Sequence, residues 1–414
     1  MIRVFLLLPF AGLIATVFFF RGEWLFASLS TSYLIPFFAL ISLAVSLVKL
    51  IFDGHIMLPK NATIFFFFLW IISLLISIVF RSEGGLIRFV LEVSLNITIY
   101  LACYYVICSR QVDLKMLQTV ILWTGLPLVA VYIITMLDMD TIRRIKGFGA
   151  VNHLGHSFAI LGTISLYQLY NSRNKRSMAA WSIIFLLFFS VMILTGTRSA
   201  IAGFILAAGM LLASRGFMPF IKYSLVITIM IGALVLILPQ VKNVSLLSAR
   251  FAPDQIVFNS GSLGKRMAIW HSTVEQITLK GFFVGLPDFY DAAVDNVVDI
   301  EYRNPHNLWL SLLFYNGVIV LICSLYALLR TIRKCWTLLP RSPGNRHDDM
   351  ILVLSLFLIT LVYASLSGQY TRIMTIFVFW GVIDAMYVVR QTSRSCRSDG
   401  MQSCRPSDRE RAEV

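Results

Sequence analysis

Apolar runs long enough to cross a bilayer recur along this chain, separated by short connections that are often basic. They occupy residues 4–20, 33–52, 62–80, 86–108, 116–137, 148–170, 178–195, 199–213, 220–239, 306–330, 350–367 and 372–390. About 20 apolar residues in a helix match the thickness of the hydrocarbon core. In lipid the backbone polar groups have no water to turn to, so such runs must be helices. The expected fold is therefore an all-α polytopic membrane protein of roughly twelve spans. The run at 4–20 could be a signal peptide, but Arg21-Gly22-Glu23-Trp24 is a poor cleavage site and a second run follows at once, so a retained span is expected.

The net charge of +14 raises the question of nucleic acid. A nucleic-acid binder gathers its basic residues in polar domains, whereas here they punctuate apolar runs, which excludes that class and fits the positive-inside rule. Arg110 and Lys115, Arg173 to Arg176, Arg215 and Lys222, Arg330 to Arg346, and Arg390 to Arg411 alternate onto one side, which is then the cytoplasm. Residues 1–240 carry spans one to nine, 241–305 form one large outward loop, 306–390 carry spans ten to twelve, and 391–414 are a basic cytoplasmic tail expected to be disordered. The outward loop has no cysteine, so no disulfide framework is expected there. Cys335, Cys396 and Cys404 fall in segments placed in the cytoplasm.

Several outward features run against the charge rule: Arg143, Arg144 and Lys146; Arg198, at a reversal through Gly196; and Lys265, Arg266 and Arg303 in the loop. Convergence of cations on one outer face suggests an anion site. Guanidinium groups suit phosphate because they are permanent planar forks of donors. Within the loop, Met267, Trp270, Val274 and Ile277 recur at helical steps, giving an amphipathic helix with Arg266 in its first turn, broken by Gly281 and by Gly285-Leu286-Pro287.

The loop ends in Arg303-Asn304-Pro305-His306-Asn307-Leu308-Trp309. Pro305 suits a helix start, which puts His306 and Asn307 in the first helical turn at the membrane surface. A histidine there can accept or donate a proton near neutral pH. His153 and His156 are three residues apart, a spacing that suits a metal. No cysteine or carboxylate accompanies them locally, so structural polar contacts are the expectation, and His271 is expected on the exposed face of the loop helix. No phosphate-binding loop, dinucleotide fingerprint or zinc motif is present, so no cofactor, metal or nucleotide is expected and an energised donor would arrive already activated.

Three segments together resemble one family. Thr195-Gly196-Thr197-Arg198-Ser199-Ala200 resembles the arginine turn of the O-antigen ligase and polymerase superfamily. Gly264-Lys265-Arg266 with Trp270, Gly281 and Gly285 resembles its outer-loop region, and Pro305 to Trp309 with Gly317 its histidine motif. The resemblance extends over about residues 147–332. It implies a GT-C-like glycosyltransferase, metal- and nucleotide-independent, in the bacterial inner membrane with its site facing the periplasm. It also implies an undecaprenyl-pyrophosphate-linked glycan as donor. By motif, Arg198 and Arg266 would hold the pyrophosphate and His306 would be base or orienting donor for the acceptor hydroxyl. Arg143, Arg144, Lys146, Arg303, Asn304, Asn307 and Trp270 are the substrate-binding candidates. The single dominant loop and the Ser262-Leu263-Gly264 segment look more like a ligase, with lipid A–core as acceptor, than a polymerase that extends another undecaprenyl-linked glycan. A lipid-linked oligosaccharide flippase is the alternative from another class. It would be expected to carry cations deep within its spans.

Overall fold

The structure is a computed structural model. It describes residues 2–18, 24–26, 29–53, 59, 62–80, 83–109, 112–137, 151–214, 221, 225, 232, 262–275, 277, 279–285, 307–338, 348–367 and 374–398. Eleven of the twelve apolar runs are helices: α1 (Ile2–Phe18), α2 (Thr31–Phe52), α3 (Ala62–Phe80), α4 (Glu83–Cys108), α5 (Leu114–Leu137), α6 (Val151–Asn171), α7 (Lys175–Leu194), α8 (Arg198–Ala213), α11 (Leu308–Leu338), α12 (Asp348–Ser367) and α13 (Met374–Ser398). The run at 220–239 lies almost wholly outside the described residues, as do most of 241–305 and the tail beyond Ser398. Two loop helices, α9 (Ser262–Glu275) and α10 (Leu279–Val284), precede α11. A short antiparallel hairpin, β1 (Trp24–Phe26) with β2 (Leu29–Ser30), lies between α1 and α2 in an otherwise all-helical fold.

Stretches within α2, α7, α11, α12 and α13 are long and apolar enough to cross a membrane. Large apolar side chains such as Phe37, Phe68, Ile183 and Leu329 are exposed on these and neighbouring helices, where a soluble protein would bury them. The protein is a multi-pass membrane protein. Its interior is aromatic where α3 meets α13: Phe66 stacks on Trp380 at 5.8 Å and Trp70 on Phe377 at 5.8 Å.

Pairs of contacts fix the helix directions around the candidate site. His156 stacks on Tyr363, while one end away the Tyr167 hydroxyl donates to Asp349 Oδ1 at 2.7 Å, so α6 and α12 are antiparallel. Gly155 faces Thr195 and Thr197, and Gly162 faces Phe204, so α6 and α8 run the same way. Hence the start of α6, the start of α8 and the end of α12 lie at one end of the bundle. The end of α1 joins them, because the Val17 carbonyl lies 3.1 Å from His153 Nε2 and the Phe18 carbonyl accepts from Ser157 Oγ.

Candidate active site

The reversal between α7 and α8 is built as its composition suggests. Gly196 takes φ 63, in the left-handed region that glycine tolerates without a Cβ penalty. Its N–H donates to the Ile193 carbonyl at 2.8 Å, and Thr195 Oγ1 donates to the Met192 carbonyl at 2.7 Å, closing α7. Thr197 is the N-cap residue of α8 and Arg198, half-buried, is its first helical residue. The opening N–H groups of a helix have no partners within it and carry partial positive charge, so Arg198 adds a full cation to an already electropositive end. The turn is pressed against α6. A Cβ on Gly155 would lie 2.5 Å from Thr195 Oγ1 and 2.7 Å from Thr197 Cβ, so glycine is what lets α6 lie against it.

The last turn of α12 is the hub of this end. Arg266 Nη1 donates to the Leu366 carbonyl at 2.5 Å. The final carbonyls of a helix lack intrahelical donors and carry partial negative charge, which suits a guanidinium. Trp309 Nε1 donates to Ser365 Oγ at 2.9 Å. The Tyr363 ring stacks on the buried His156 ring with centroids 4.4 Å apart and planes inclined by 16°. One helical turn therefore gathers contacts from α6, α9 and α11.

Helix α11 opens with a side-chain cap. The N–H groups of Trp309 and Leu310 donate to Asn307 Oδ1 at 3.0 and 3.1 Å. This corrects the expectation that Pro305 begins the helix with Asn307 in its first turn: the helix starts at Leu308, and Asn307 stands outside it as the cap. Further along, Gly317 takes φ 79 and breaks α11 into two segments. Gly285, at φ 90, packs its backbone onto the break, where a Cβ would lie 2.3 Å from the Tyr315 carbonyl oxygen. The close approach seats the loop helix α10 against α11.

Residues 183–325 match a family model described as O-antigen ligase. That match supports membership of the O-antigen ligase/polymerase superfamily. No curated protein matches the chain. The family implies an enzyme of glycosyl-transfer type, a ligase or a polymerase, and suggests lipid-linked glycan substrates in a membrane.

The matched stretch runs from within α7 to within α11 and so contains Arg198, Arg266, Trp270, Arg303, Asn304, His306 and Asn307. It starts well after the residue near 147 at which the resemblance was expected to begin. Arg198, on α8, and Arg266, on α9, lie at the same end of the bundle, and Trp270 is half-buried one turn after Arg266. His306, Arg303, Asn304, Arg143, Arg144 and Lys146 lie outside the described residues.

Three sequence expectations are revised here. The buried side of α9 carries Ile269 and Thr273, whereas Met267 and Val274 are exposed. Thr273 tolerates burial because its hydroxyl donates to the Ile269 carbonyl at 2.6 Å. Gly281 does not break a helix but lies buried inside α10, whose end is at Gly285. His153 makes the expected structural contact, to Val17, but among the described residues neither ring nitrogen of His156 has a hydrogen-bond partner. Among the described residues no set of three or more His, Cys, Asp or Glu is placed to hold a metal. His271 is exposed as expected, 3.3 Å from Glu275.

Sequence reasoning also passed over a buried ionic cluster near the opposite end. Lys334 Nζ donates to Asp384 Oδ1 at 2.6 Å, and the hydroxyls of Thr63 and Tyr100 each donate to Oδ2 at 2.8 Å. Arg330 to Arg346 read as a cytoplasmic connection, but α11 continues to Leu338 and buries both Lys334 and Cys335. The signal was available: an aspartate inside the apolar run 372–390 marks a polar partner by default. Similarly α13 extends to Ser398, past the expected start of the tail. Residues 391–398 contain no glycine or proline to stop it, and their basic charge suits a helix C-terminus.

Proposed function

We propose that the chain is an O-antigen ligase that moves a glycan from undecaprenyl pyrophosphate to lipid A–core at the periplasmic face of the bacterial inner membrane. The observation that carries the reading is the convergence of Arg198 and Arg266, both inside the stretch matched to the O-antigen ligase family, on one end of the bundle. The acceptor hydroxyl oxygen bonds to the anomeric carbon while the bond from that carbon to the pyrophosphate oxygen breaks. Undecaprenyl pyrophosphate leaves with the electron pair. Charge gathers on the leaving group, where fixed cations do most of the work. Arg198, helped by the α8 N-terminus, and Arg266 fill that part. His306 accepts or orients the acceptor's proton. Arg143, Arg144, Lys146, Arg303, Asn304 and Trp270 bind glycan and phosphate around the centre. The enzyme is GT-C-like and uses neither metal nor nucleotide.

A flippase would need a cation path within the spans. The deep cation described here, Lys334, is bound to Asp384 at 2.6 Å, which favours a structural part for it over a transport path. The deciding experiment expresses the wild type and His306→Ala in a deletion strain that still assembles undecaprenyl-linked glycan. The expected result is a glycan ladder on lipid A–core with the wild type and none with the variant. Glycan already attached as single units without the protein, and only lengthened by it, would replace ligase with polymerase. Absence of any effect on either would overturn both.

A further inference from the structure

His156 is fully buried in α6, and neither of its ring nitrogens has a hydrogen-bond partner among the described residues. Buried polar groups are almost always paired, because leaving one unpaired forfeits its hydration without return. An imidazole with two orphaned nitrogens therefore calls for an explanation in terms of what it binds. Its setting supplies one. On one side the adjacent Gly155 touches Thr195 and Thr197, the turn that leads into Arg198. On the other, its ring lies flat on Tyr363, three residues before the Leu366 carbonyl that Arg266 holds. His156 thus stacks on the turn of α12 that Arg266 reaches and follows the glycine that meets the turn before Arg198, with its ring plane fixed by the stack.

We propose that His156 is a diphosphate-binding residue of the donor site, giving a ring N–H to a phosphate oxygen between Arg198 and Arg266. The assignment rests on the ligase/polymerase reading for the identity of the donor. A ring sealed inside the bundle takes its partner when the donor binds, not from bulk water. The contact that must loosen is in place: when Arg266 turns from the Leu366 carbonyl to the diphosphate, the last turn of α12 is released, and Tyr363 moves with it.

The test uses purified full-length protein in detergent with undecaprenyl pyrophosphate as the probe. Thermal stabilisation by the probe is measured beside transfer of undecaprenyl-linked glycan to lipid A–core. His156→Phe keeps the bulk and the stack but has no ring nitrogen. Its expected behaviour is normal or raised intrinsic stability, loss of the probe's stabilising shift, and kcat/KM lower by about 10- to 100-fold, the worth of one hydrogen bond to a charged oxygen. A purely structural histidine predicts the reverse, with shift and activity kept within about twofold, and that result overturns the proposal. If the phenylalanine variant does not fold, His156→Gln and His156→Met form the comparison, being alike in length but differing in the amide. Gln should keep part of the shift and Met should lose it; equal behaviour overturns the proposal. A wild type not stabilised by the probe overturns it as well. A wild type that binds the probe through His156 but transfers nothing to lipid A–core removes the ligase reading and leaves this one standing.

Discussion

Removing the charge of Lys334 should destabilise the bundle more than any change to an exposed cation. Asp384 is 2 % exposed and its two oxygens accept three bonds, from Lys334, Thr63 and Tyr100. These four residues lie on α11, α13, α3 and α4, so the cluster ties four helices together. Lys334→Met leaves Oδ1 of a buried carboxylate without its cation. Breaking one side of a buried ion pair costs about 3–5 kcal/mol. Asp384→Asn turns an amide N–H₂ or a single carbonyl toward the ammonium and should cost a similar amount, about 3–5 kcal/mol. The double variant behaves differently. The new amide's carbonyl can still accept from Thr63 and Tyr100, and only its N–H₂ is left beside an apolar side chain, at about 1–3 kcal/mol. The singles sum to about 6–10 kcal/mol, so the double-mutant cycle should return a coupling of at least about 3 kcal/mol. Steric trapping in bicelles reads unfolding free energies of membrane proteins and would give all four corners. A coupling below about 1 kcal/mol, the scale of an exposed pair, would refute the reasoning.

Three further outcomes follow from the site. Gly285→Ala places a Cβ 2.3 Å from the Tyr315 carbonyl at a φ of 90, so α10 must leave its seat on α11; strain of about 1–3 kcal/mol should appear as faster proteolysis between residues 262 and 285 with transfer reduced, and an unchanged digestion pattern would count against the packing. Asn307→Ala should cost about 1 kcal/mol of stability through the lost cap, whereas Asn307→Asp or Asn307→Ser should keep both stability and transfer; loss of transfer in the Asp and Ser variants would show instead that the amide binds substrate. Arg266→Lys should lower kcat/KM by more than about tenfold, because an ammonium cannot reproduce the planar fork, and wild-type kinetics in that variant would remove Arg266 from the donor site.

Apolar length was the most legible property of the sequence. Eleven runs became helices with ends displaced by a few residues, apart from α11 and α13, each of which runs eight residues beyond its apolar run. The two extensions have different causes: residues 391–398 hold no glycine or proline to stop α13, whereas α11 gains a partner. Lys334 is a poor fit to an apolar window, yet it continues a helix once Asp384 neutralises it, and the window cannot see that partner from fifty positions away. The Gly196 reversal was readable because a positive φ demands a specific residue, and the same chemistry placed Gly285 at a turn. What Gly285 lies against was not readable, since the surface it meets is the backbone of Tyr315 and Asn316.

The candidate site divides along the same line. Arg198 and Arg266 were legible as cations where the charge rule forbids them. The group that Arg266 holds was not, because the Leu366 carbonyl is a backbone atom at the end of an apolar helix and leaves no trace in residue type. The loop helix α9 shows why periodicity alone misassigned a face. Met267, Trp270, Val274 and Ile277 make an apolar stripe, but the bundle presents a helix end that needs a cation, and Arg266 answers that need. Burial then follows Arg266, Ile269 and Thr273, and Met267 and Val274 are left to the outer face. A polar contact at a helix terminus thus sets the rotation of an amphipathic helix against its own hydrophobic pattern. The rotation sets the Arg266 guanidinium against the end of α12.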